Sequence, residues 1–578
     1  MTDTDKGENS SWDVIVLGAG AGGMAAAIVA AREGLRVLVI EKTGFVGGTT
    51  AFSGGMVWVP NNLKMAAAGL TDSPEAADRY LTATAGPGDN LRRAYIAQAP
   101  EAIDYLDRNS AVNLVPLAFY PDYYPDEPGA TTGGRVMEPL PFDANLLGHA
   151  FKMLRAPLPE FTLLGGMMVA RPDIVHFRSV FKSFRSALRV GKLVLSYAAE
   201  RIRYHRGTHL VLGNALAARL LKSLLDLGVT IRRNTTVRRL VMQDGRIAGV
   251  EIESGGERAV LTARFGVVLA TGGFSHNTDM RERFLPAEAG LVSATAEGAT
   301  GDGLRLGREA GGDLPAETGN DAFWVPASTF TRRDGSAGVY PHTVTDRGKP
   351  GMFAVNAAGR RFTNESNSYH EFVHAMFRAA NDSPAIPAWL ICDRRSLWQY
   401  GLGAVKPMCL NIRPYLRSGY LKEAGSLNDL AAIIGVDAAA LQETVTTYNR
   451  DAASGVDTQF GRGGNAYHRY VGDPANQPNP CMRPVETAPY YAVALVPADL
   501  GTAAGLRTGP NAEVLDTAGQ PVPGLYACGN DMNSIMKGSY PGPGITLGPA
   551  LVFGYLAAMH LAHGPARGND AEGGASRA

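Results

Sequence analysis

Gly18, Gly20 and Gly23 stand at the spacing glycine-x-glycine-x-x-glycine, directly after the β-branched run Val14 to Leu17 and directly before the alanine-rich stretch Met24 to Arg32. Each glycine has its own task at that spacing. Gly18 permits a tight turn, Gly20 lets a pyrophosphate approach bare backbone, and Gly23 lets helix and strand pack closely. Ala21 and Gly22 then open a helix whose unpaired N–H groups and positive dipole end face phosphate. A second apolar run, Val37 to Ile40, ends in Glu41, where an acid accepts hydrogen bonds from a ribose hydroxyl, with Lys42 beside it as a further contact. The chemistry expected is dinucleotide binding.

A second run of small residues, Gly47 to Gly55, follows at once. Gly48, Thr49, Thr50, Ser53, Gly54 and Gly55 offer backbone N–H groups to a flat ring system where larger side chains would collide, and this favours FAD over NAD. Phe52 and Ser53 are expected to face substrate as well. Tyrosines form the other conspicuous set: Tyr120, Tyr123 and Tyr124 in one short loop, Tyr369, and Tyr540 in a Pro/Gly-rich loop. Any one of these stretches alone reads as a loop or a packed edge. Together with a dinucleotide fold they read as a catalytic group. Cys392, Cys409, Cys481 and Cys528 are too far apart for a CxxC pair or a zinc cluster, so no metal is expected and the cysteines read as buried thiols in a reducing compartment.

The elements that must position these residues begin with a strand, tight turn, helix and strand, which is a βαβ unit. Leu210 to Leu227 has the pattern of an amphipathic helix, and Thr230 to Phe274 reads as a series of strands ending in VVLATGGF. From about Ser293 to Pro484 the glycine-strand-helix rhythm disappears. It returns near Val522 with GLYACGN and the helical run Pro549 to His563, and the small polar tail reads as loose. The fold expected is α/β: a Rossmann-type FAD-binding domain, discontinuous in sequence (1–287 and 485–578), around an inserted α+β catalytic domain at 288–484.

With 45% hydrophobic and 19% charged residues the chain has ordinary globular composition. Lys and Arg balance Asp and Glu at 55 each, so no global field recruits nucleic acid. The beginning, MTDTDKGENSSW, lacks the basic and apolar regions of a secretory signal, and a cytoplasmic protein is expected. One segment departs from neutrality: Phe151 to Arg206 carries 11 Lys and Arg, Lys182 among them, against three acids. Its apolar residues (Leu163, Leu164, Met167, Met168, Phe177, Phe181 and Phe184) could dip into lipid at the inner face of the cell membrane while the cations meet anionic head groups. A solvated helical excursion covering the FAD domain, or a subunit contact, is the equal alternative.

The two N-terminal glycine loops, ATGGF at Ala270 to Phe274 and GLYACGN at Gly524 to Asn530 together resemble the flavoprotein family that includes fumarate reductases and 3-ketosteroid dehydrogenases. The resemblance covers nearly the whole chain and implies FAD contacts at Val237, Ala270, Thr271, Gly272, Gly529, Asn530, Gly544, Thr546 and Leu547. It also implies non-covalent FAD, since the N-terminal glycine loops hold no histidine. Tyr540-Pro541-Gly542-Pro543-Gly544, followed by Thr546-Leu547-Gly548-Pro549, is similar to the flavin face of 3-ketosteroid Δ1-dehydrogenases and unlike the glycine-rich segment of fumarate reductases. Tyr120 to Pro125 and Asn364 to Phe372 are similar to two further motifs of that subgroup.

The activity implied is removal of two hydrogens from a carbon pair beside the ketone of a 3-ketosteroid, with an external, quinone-like electron acceptor. By the resemblance, the Tyr540 hydroxyl and the Gly544 N–H polarise the ketone, Tyr369 is the general base, and Tyr123 lowers its pKa or carries the proton onward. Tyr120 falls in the pocket wall, and Tyr124 is the alternative to Tyr123. A free phenol titrates near pH 10, roughly, so the base needs a neighbouring donor or positive field. Three alternatives stay open: a 3-ketosteroid Δ4-dehydrogenase, a flavin ene-reductase, and an electron-transfer subunit whose partner holds the metal centres.

Overall fold

The first sheet is built around Ser11–Leu17, which pairs in parallel with Val37–Ile40 on one side and with Glu257–Leu269 on the other. In this computed structural model, which describes residues 11–564 except 182, 317–320, 333 and 380–382, parallel pairing continues outward to Thr230–Arg232 and to Pro521–Ala527. Lys182 and the tail beyond 564 thus lie outside the described residues. Glu513–Leu515 and the hairpin Thr236–Gln243/Arg246–Ser254 add antiparallel edges, giving eight strands. Val14, Ile15, Val16, Leu38 and Val39 are fully buried, as expected of parallel strands covered on both faces. Helix Ala21–Arg32 packs on helix Leu547–His563 through glycine, since a Cβ at Gly554 would lie 2.6 Å from the Gly22 carbonyl oxygen.

The second sheet is antiparallel and six-stranded: Ala337–Pro341, Ala322–Thr331, Tyr490–Thr502, Ala388–Asp393 and Met352–Val355 in that order, with Lys422–Ala424 also on Tyr490–Thr502. Tyr490–Thr502 is therefore a central strand of this sheet, although the sequence reading assigned everything after 484 to the returning FAD domain. Its apolar run is equally compatible with either sheet, and only pairing decides. The crossing back comes after Thr502.

Two tyrosine-bearing pieces are anchored by these elements. Helix Tyr369–Ala379 packs on strand Ala322–Thr331. The loop 120–125 is tied to the C-terminal loop by Tyr123 N–H donating to Pro541 O at 2.9 Å, and by Tyr80 Oη donating to the same oxygen at 2.5 Å. Within it Asp122 accepts from Trp58 Nε1 (2.8 Å) and Arg135 Nη1 (2.9 Å), while Arg135 also grips Asp72 (2.7 Å). All three charged side chains are fully buried.

The basic segment forms the helices Arg171–Arg178 and Phe184–Arg203. Its apolar residues divide differently from expectation. Met167 and Met168 are buried, because Met167 bridges back to Leu163 and Met168 turns toward the interior cavity, and Phe177 is partly covered. Leu164, Ile174, Val175, Phe181, Phe184, Leu188, Leu195 and Ile202 are exposed, Phe184 at 86% and Ile202 at 90%. No helix among the described residues is long and apolar enough to cross a membrane. Cys392, Cys481 and Cys528 are buried, whereas Cys409 is only partly so.

Candidate active site

One cavity of about 490 Å³ runs from the first βαβ unit to the tyrosines. At its near end the helix Ala21–Arg32 begins at Gly20, which offers no side-chain cap; Thr50 Oγ1 takes the Ala21 N–H, and Gly20, Ala21 and Gly22 line the cavity at this helix start. Gly18 has φ of 102°, and a Cβ there would sit 2.2 Å from Ala270 O. A Cβ at Gly23 would sit 2.1 Å from Gly18 O, and Gly23 does not line the cavity. At Gly20 a Cβ would meet nothing within 4 Å. That pattern, two glycines required by packing and one facing open space at a helix N-terminus, fits a pyrophosphate.

Glu41 reaches back to accept from Ala19 N–H at 3.0 Å and from Thr43 N–H and Oγ1 at 2.9 and 2.8 Å, which fixes its carboxylate at the adenosine end. Lys42 also lines this end and is paired with Asp302 at 2.7 Å. Val237, Ala270, Thr271 and Gly272 continue the wall. The second glycine loop, with Gly48, Thr49, Thr50, Phe52, Ser53, Gly54 and Gly55, forms the opposite side, and Thr50 Oγ1 accepts from Ala21 N–H at 3.1 Å. Gly529, Asn530, Thr546 and Leu547 close the far end, where helix Leu547–His563 starts. Ala21 and Gly22 line the same cavity. A dinucleotide with a flat ring at this far end fits these residues, and no histidine lines the cavity among the described residues.

Beyond the glycine wall Tyr120, Tyr123, Tyr369, Tyr540 and Gly544 share that cavity. Tyr123 Oη donates to Tyr369 Oη at 2.9 Å. The Tyr369 and Tyr540 ring centroids are 5.1 Å apart, and those of Tyr123 and Tyr540 5.7 Å apart. Tyr124 points elsewhere, donating to Glu371 Oε1 at 2.8 Å, so Tyr123 and not its neighbour meets Tyr369. Gly544 has φ of 92° and would clash through a Cβ with Met56 O at 2.5 Å. Its carbonyl accepts from Trp58 N–H and Gly548 N–H, while its own N–H donates to no group among the described residues.

Burial pushes the Tyr369 phenol well above its ordinary value, and the nearby Tyr540 adds to this. The hydrogen bond from Tyr123 acts in the lowering direction, as expected, yet does not outweigh burial. Burial also pushes Tyr540 up, to about 12, against hydrogen bonds with Tyr369 and Thr546 that lower it. Tyr540 is accordingly a durable O–H donor across the physiological range.

Several residues that line the cavity or hold its wall escaped the sequence reading. Arg155, its guanidinium bonded to Glu297 (2.8 Å) and Thr43 (3.1 Å), lines the adenosine end from the basic segment. Asp531 accepts from Thr271 N–H (2.5 Å), Thr271 Oγ1 (3.0 Å) and Gly273 N–H (3.0 Å), which fixes the ATGG turn, and burial pushes its carboxyl up to about 6. An acid directly after GLYACGN was the available signal. The wall built by Leu158, Phe161, Met168, Val169 and Ile174 had no such signal, because its position depends on how the 151–206 excursion folds back.

The family described as "FAD binding domain" matches residues 13–547. A 3-oxosteroid 1-dehydrogenase of Mycolicibacterium smegmatis is 37% identical over 568 residues, covering 95% of this chain and 97% of that protein. The chain belongs to this flavoprotein family. Its cofactor is FAD. Another relative, 4-oxocyclohex-2-ene-1-carboxylate 5-dehydrogenase of Sinomonas cyclohexanicum, is 37% identical over 555 residues and covers 95% and 93% of the two chains. In structure the flavoprotein is similar to the 3-ketosteroid delta1-dehydrogenase from Sterolibacterium denitrificans solved in complex with 1,4-androstadiene-3,17-dione, with a TM-score of 0.88, 39% identity, and 96% and 99% of the chains covered.

Proposed function

We propose that this flavoprotein is a 3-ketosteroid Δ1-dehydrogenase, converting a 3-oxo-Δ4-steroid to the 3-oxo-Δ1,4-steroid. The observation that carries the reading is the convergence of the Tyr123, Tyr369 and Tyr540 rings with a Gly544 N–H that has no acceptor among the described residues, on the cavity lined by the dinucleotide glycines. FAD, bound non-covalently, supplies a hydride acceptor at N5. The chain's own residues do the rest. Tyr540 Oη and Gly544 N–H donate to the ketone oxygen as negative charge develops there, which is the arrangement that most lowers an enolisation barrier. Tyr369 takes the proton from the carbon beside the ketone, and Tyr123 moves that proton onward along the 2.9 Å hydrogen bond.

The Sinomonas relative acts, by its name, on a monocyclic keto-carboxylate, and that is the second reading. The cavity's cations argue against it. Lys42 is paired with Asp302, Arg155 with Glu297, and Arg171 with Glu138 (3.2 Å) and the Tyr470 hydroxyl (3.0 Å). A substrate carboxylate would have to displace one of these partners. The wall at Leu158, Phe161, Met168 and Ile174 instead suits an apolar ring system.

Of the exposed apolar residues of 164–202, Ile174 belongs to that wall, and Phe184, Leu188, Leu195 and Ile202 share their helix with Arg185, Lys192, Arg201 and Arg203. This supports a peripheral contact with an anionic lipid surface, from which an apolar substrate reaches the cavity. An external acceptor would take up the two electrons that bound FAD would receive. Anaerobic mixing with androst-4-ene-3,17-dione and, separately, 4-oxocyclohex-2-ene-1-carboxylate tests the assignment. Flavin bleaching by the steroid alone, with a new C1–C2 double bond in the product, is expected. Bleaching by the carboxylate alone would overturn the assignment.

A further inference from the structure

His370 follows Tyr369 directly on helix Tyr369–Ala379, and His374 lies one turn further along the same face. Their Nε2 atoms are 3.0 Å apart, and the rings stand at 73° with centroids 4.5 Å apart. His370 is 2% exposed and His374 is half-buried. Neither lines the cavity.

One backbone group fixes where the protons of this pair sit. Strand Ala322–Thr331 shifts its register against Tyr490–Thr502 between Ala322 and Trp324, and at that bulge the Trp324 N–H donates to His370 Nδ1 at 3.1 Å. A backbone N–H only donates, so Nδ1 holds a lone pair and the His370 ring proton sits on Nε2. His374 Nε2 must then accept it, which leaves the His374 proton on Nδ1. Both rings are neutral. A proton added at His374 Nε2 would set N–H against N–H across 3.0 Å, and one added at His370 Nδ1 would do the same to Trp324.

The pair braces the surroundings of Tyr540. The His370 ring lies 5.8 Å from that of Tyr540, while Phe323 and Tyr369 meet Tyr540 edge-on at 5.6 and 5.1 Å. Tyr369 precedes His370 and Phe323 precedes Trp324, so the bond from Trp324 to His370 ties together two of the rings on which the phenol rests. His370 is itself a third. The Gly538 carbonyl, two residues before Tyr540, faces the His370 ring as well.

We propose that His370 is a positioning residue for Tyr540, that His374 holds it there by accepting from Nε2–H, and that uptake of one proton by the pair releases the Tyr540 hydroxyl from its working position. The inference rests on the functional reading above, in which Tyr540 donates to the ketone oxygen. It adds an acid shut-off separate from the ionisation of Tyr369.

The surroundings agree with a neutral pair. Among the described residues the charged and titratable groups facing it are Glu371, itself bonded to Tyr124, and Arg378 on the same helix, and Tyr540 on the C-terminal loop; the strand presents the Trp324 N–H. Burial holds His370 well below its ordinary value, His374 adds to this and the Gly538 carbonyl opposes it. Burial lowers His374 too, with Glu371 opposing and Arg378 adding. The pair is therefore intact at neutral pH and is lost as the pH falls below the ordinary histidine range.

Binding of estrone, whose phenolic ring offers an oxygen where the enolate forms, to the FAD-loaded protein reads the Tyr540 donor without turnover. Wild-type affinity should hold between about pH 8 and 7 and fall about three- to tenfold below about pH 6, the worth of one hydrogen bond. His374→Gln, whose amide oxygen accepts from His370 Nε2–H and takes up no proton, should keep its affinity on acidification. His374→Leu removes the acceptor, and should bind weakly at every pH, with kcat on androst-4-ene-3,17-dione lowered by a similar factor and KM changed little. Nitrogen NMR on histidine-labelled holoprotein, assigned through these variants and His370→Asn, should show Nδ1 bare at His370 and Nε2 bare at His374. The opposite tautomers, or the same acid dependence of estrone binding in wild type and His374→Gln while Tyr540→Phe binds weakly, would overturn this inference alone. Estrone binding undiminished in Tyr540→Phe at pH 8 would overturn the functional reading of Tyr540, with the tautomers still reporting on the pair.

Discussion

The hydroxyl oxygens of Tyr123 and Tyr369 lie 2.9 Å apart although 246 positions separate them along the chain. Both are buried, and each is raised by that burial, so neither is a base by default. Their contact is a proton path whose use depends on what drives the second phenol to accept.

Tyr369→Phe keeps the ring packing and removes the acceptor. Turnover should fall by about 10²–10⁴-fold, the range associated with loss of a general base, while the bound flavin keeps its visible spectrum. Stopped-flow bleaching under anaerobic conditions measures it, and near-normal rates would remove Tyr369 from the chemistry.

Tyr540→Phe should cost about 10²–10³-fold in kcat, as for loss of one donor to a developing oxyanion. Weaker inhibition by phenolic enolate mimics should accompany it. Equal inhibitor affinity in both proteins would show that the hydroxyl does not meet the substrate oxygen.

The pH dependence follows from the same phenols. Tyr369 must lose a proton to act, and burial raises its titration, so kcat should climb as the medium becomes alkaline. Tyr540 must keep its proton and does so up to about 12, so no descending limb from this donor is expected below that value. A profile that falls between pH 8 and 10 with FAD still bound would contradict this pairing of roles.

Arg135 holds two buried carboxylates, Asp72 and Asp122, the second of them within the Tyr120–Tyr123 loop itself. Arg135→Ala strands both, and breaking a buried pair costs about 3–5 kcal/mol. Calorimetry should register a large drop in melting temperature. Little change would mean that the network contributes nothing to holding the loop.

Glutamate substituted together for Phe181, Phe184 and Ile202, all highly exposed, should abolish cosedimentation with anionic liposomes and leave kcat on detergent-solubilised steroid unchanged. Retained sedimentation would assign this face to another partner.

Local rules reached the dinucleotide end of the molecule well, because each constraint there lies within a few residues: Gly18 and Gly23 are required by backbone contacts at 2.2 and 2.1 Å, and Glu41 by the end of its strand. The tyrosines were legible as motifs, but their meeting was implied only by resemblance. What stayed hidden depends on distant packing. Strand Tyr490–Thr502 has the alternation of any buried strand and takes its sheet from Ala322–Thr331 and Ala388–Asp393.

Pro541 O accepts from Tyr80, 461 positions earlier, and from the backbone of Tyr123. Such a clasp cannot close while the carboxyl-terminal stretch is still being synthesised. Nascent chains would have to shield the apolar residues around Trp58 and Tyr95 until residue 541 has been made, which makes this flavoprotein dependent on long-range docking and exposes it to aggregation if translation stalls before then.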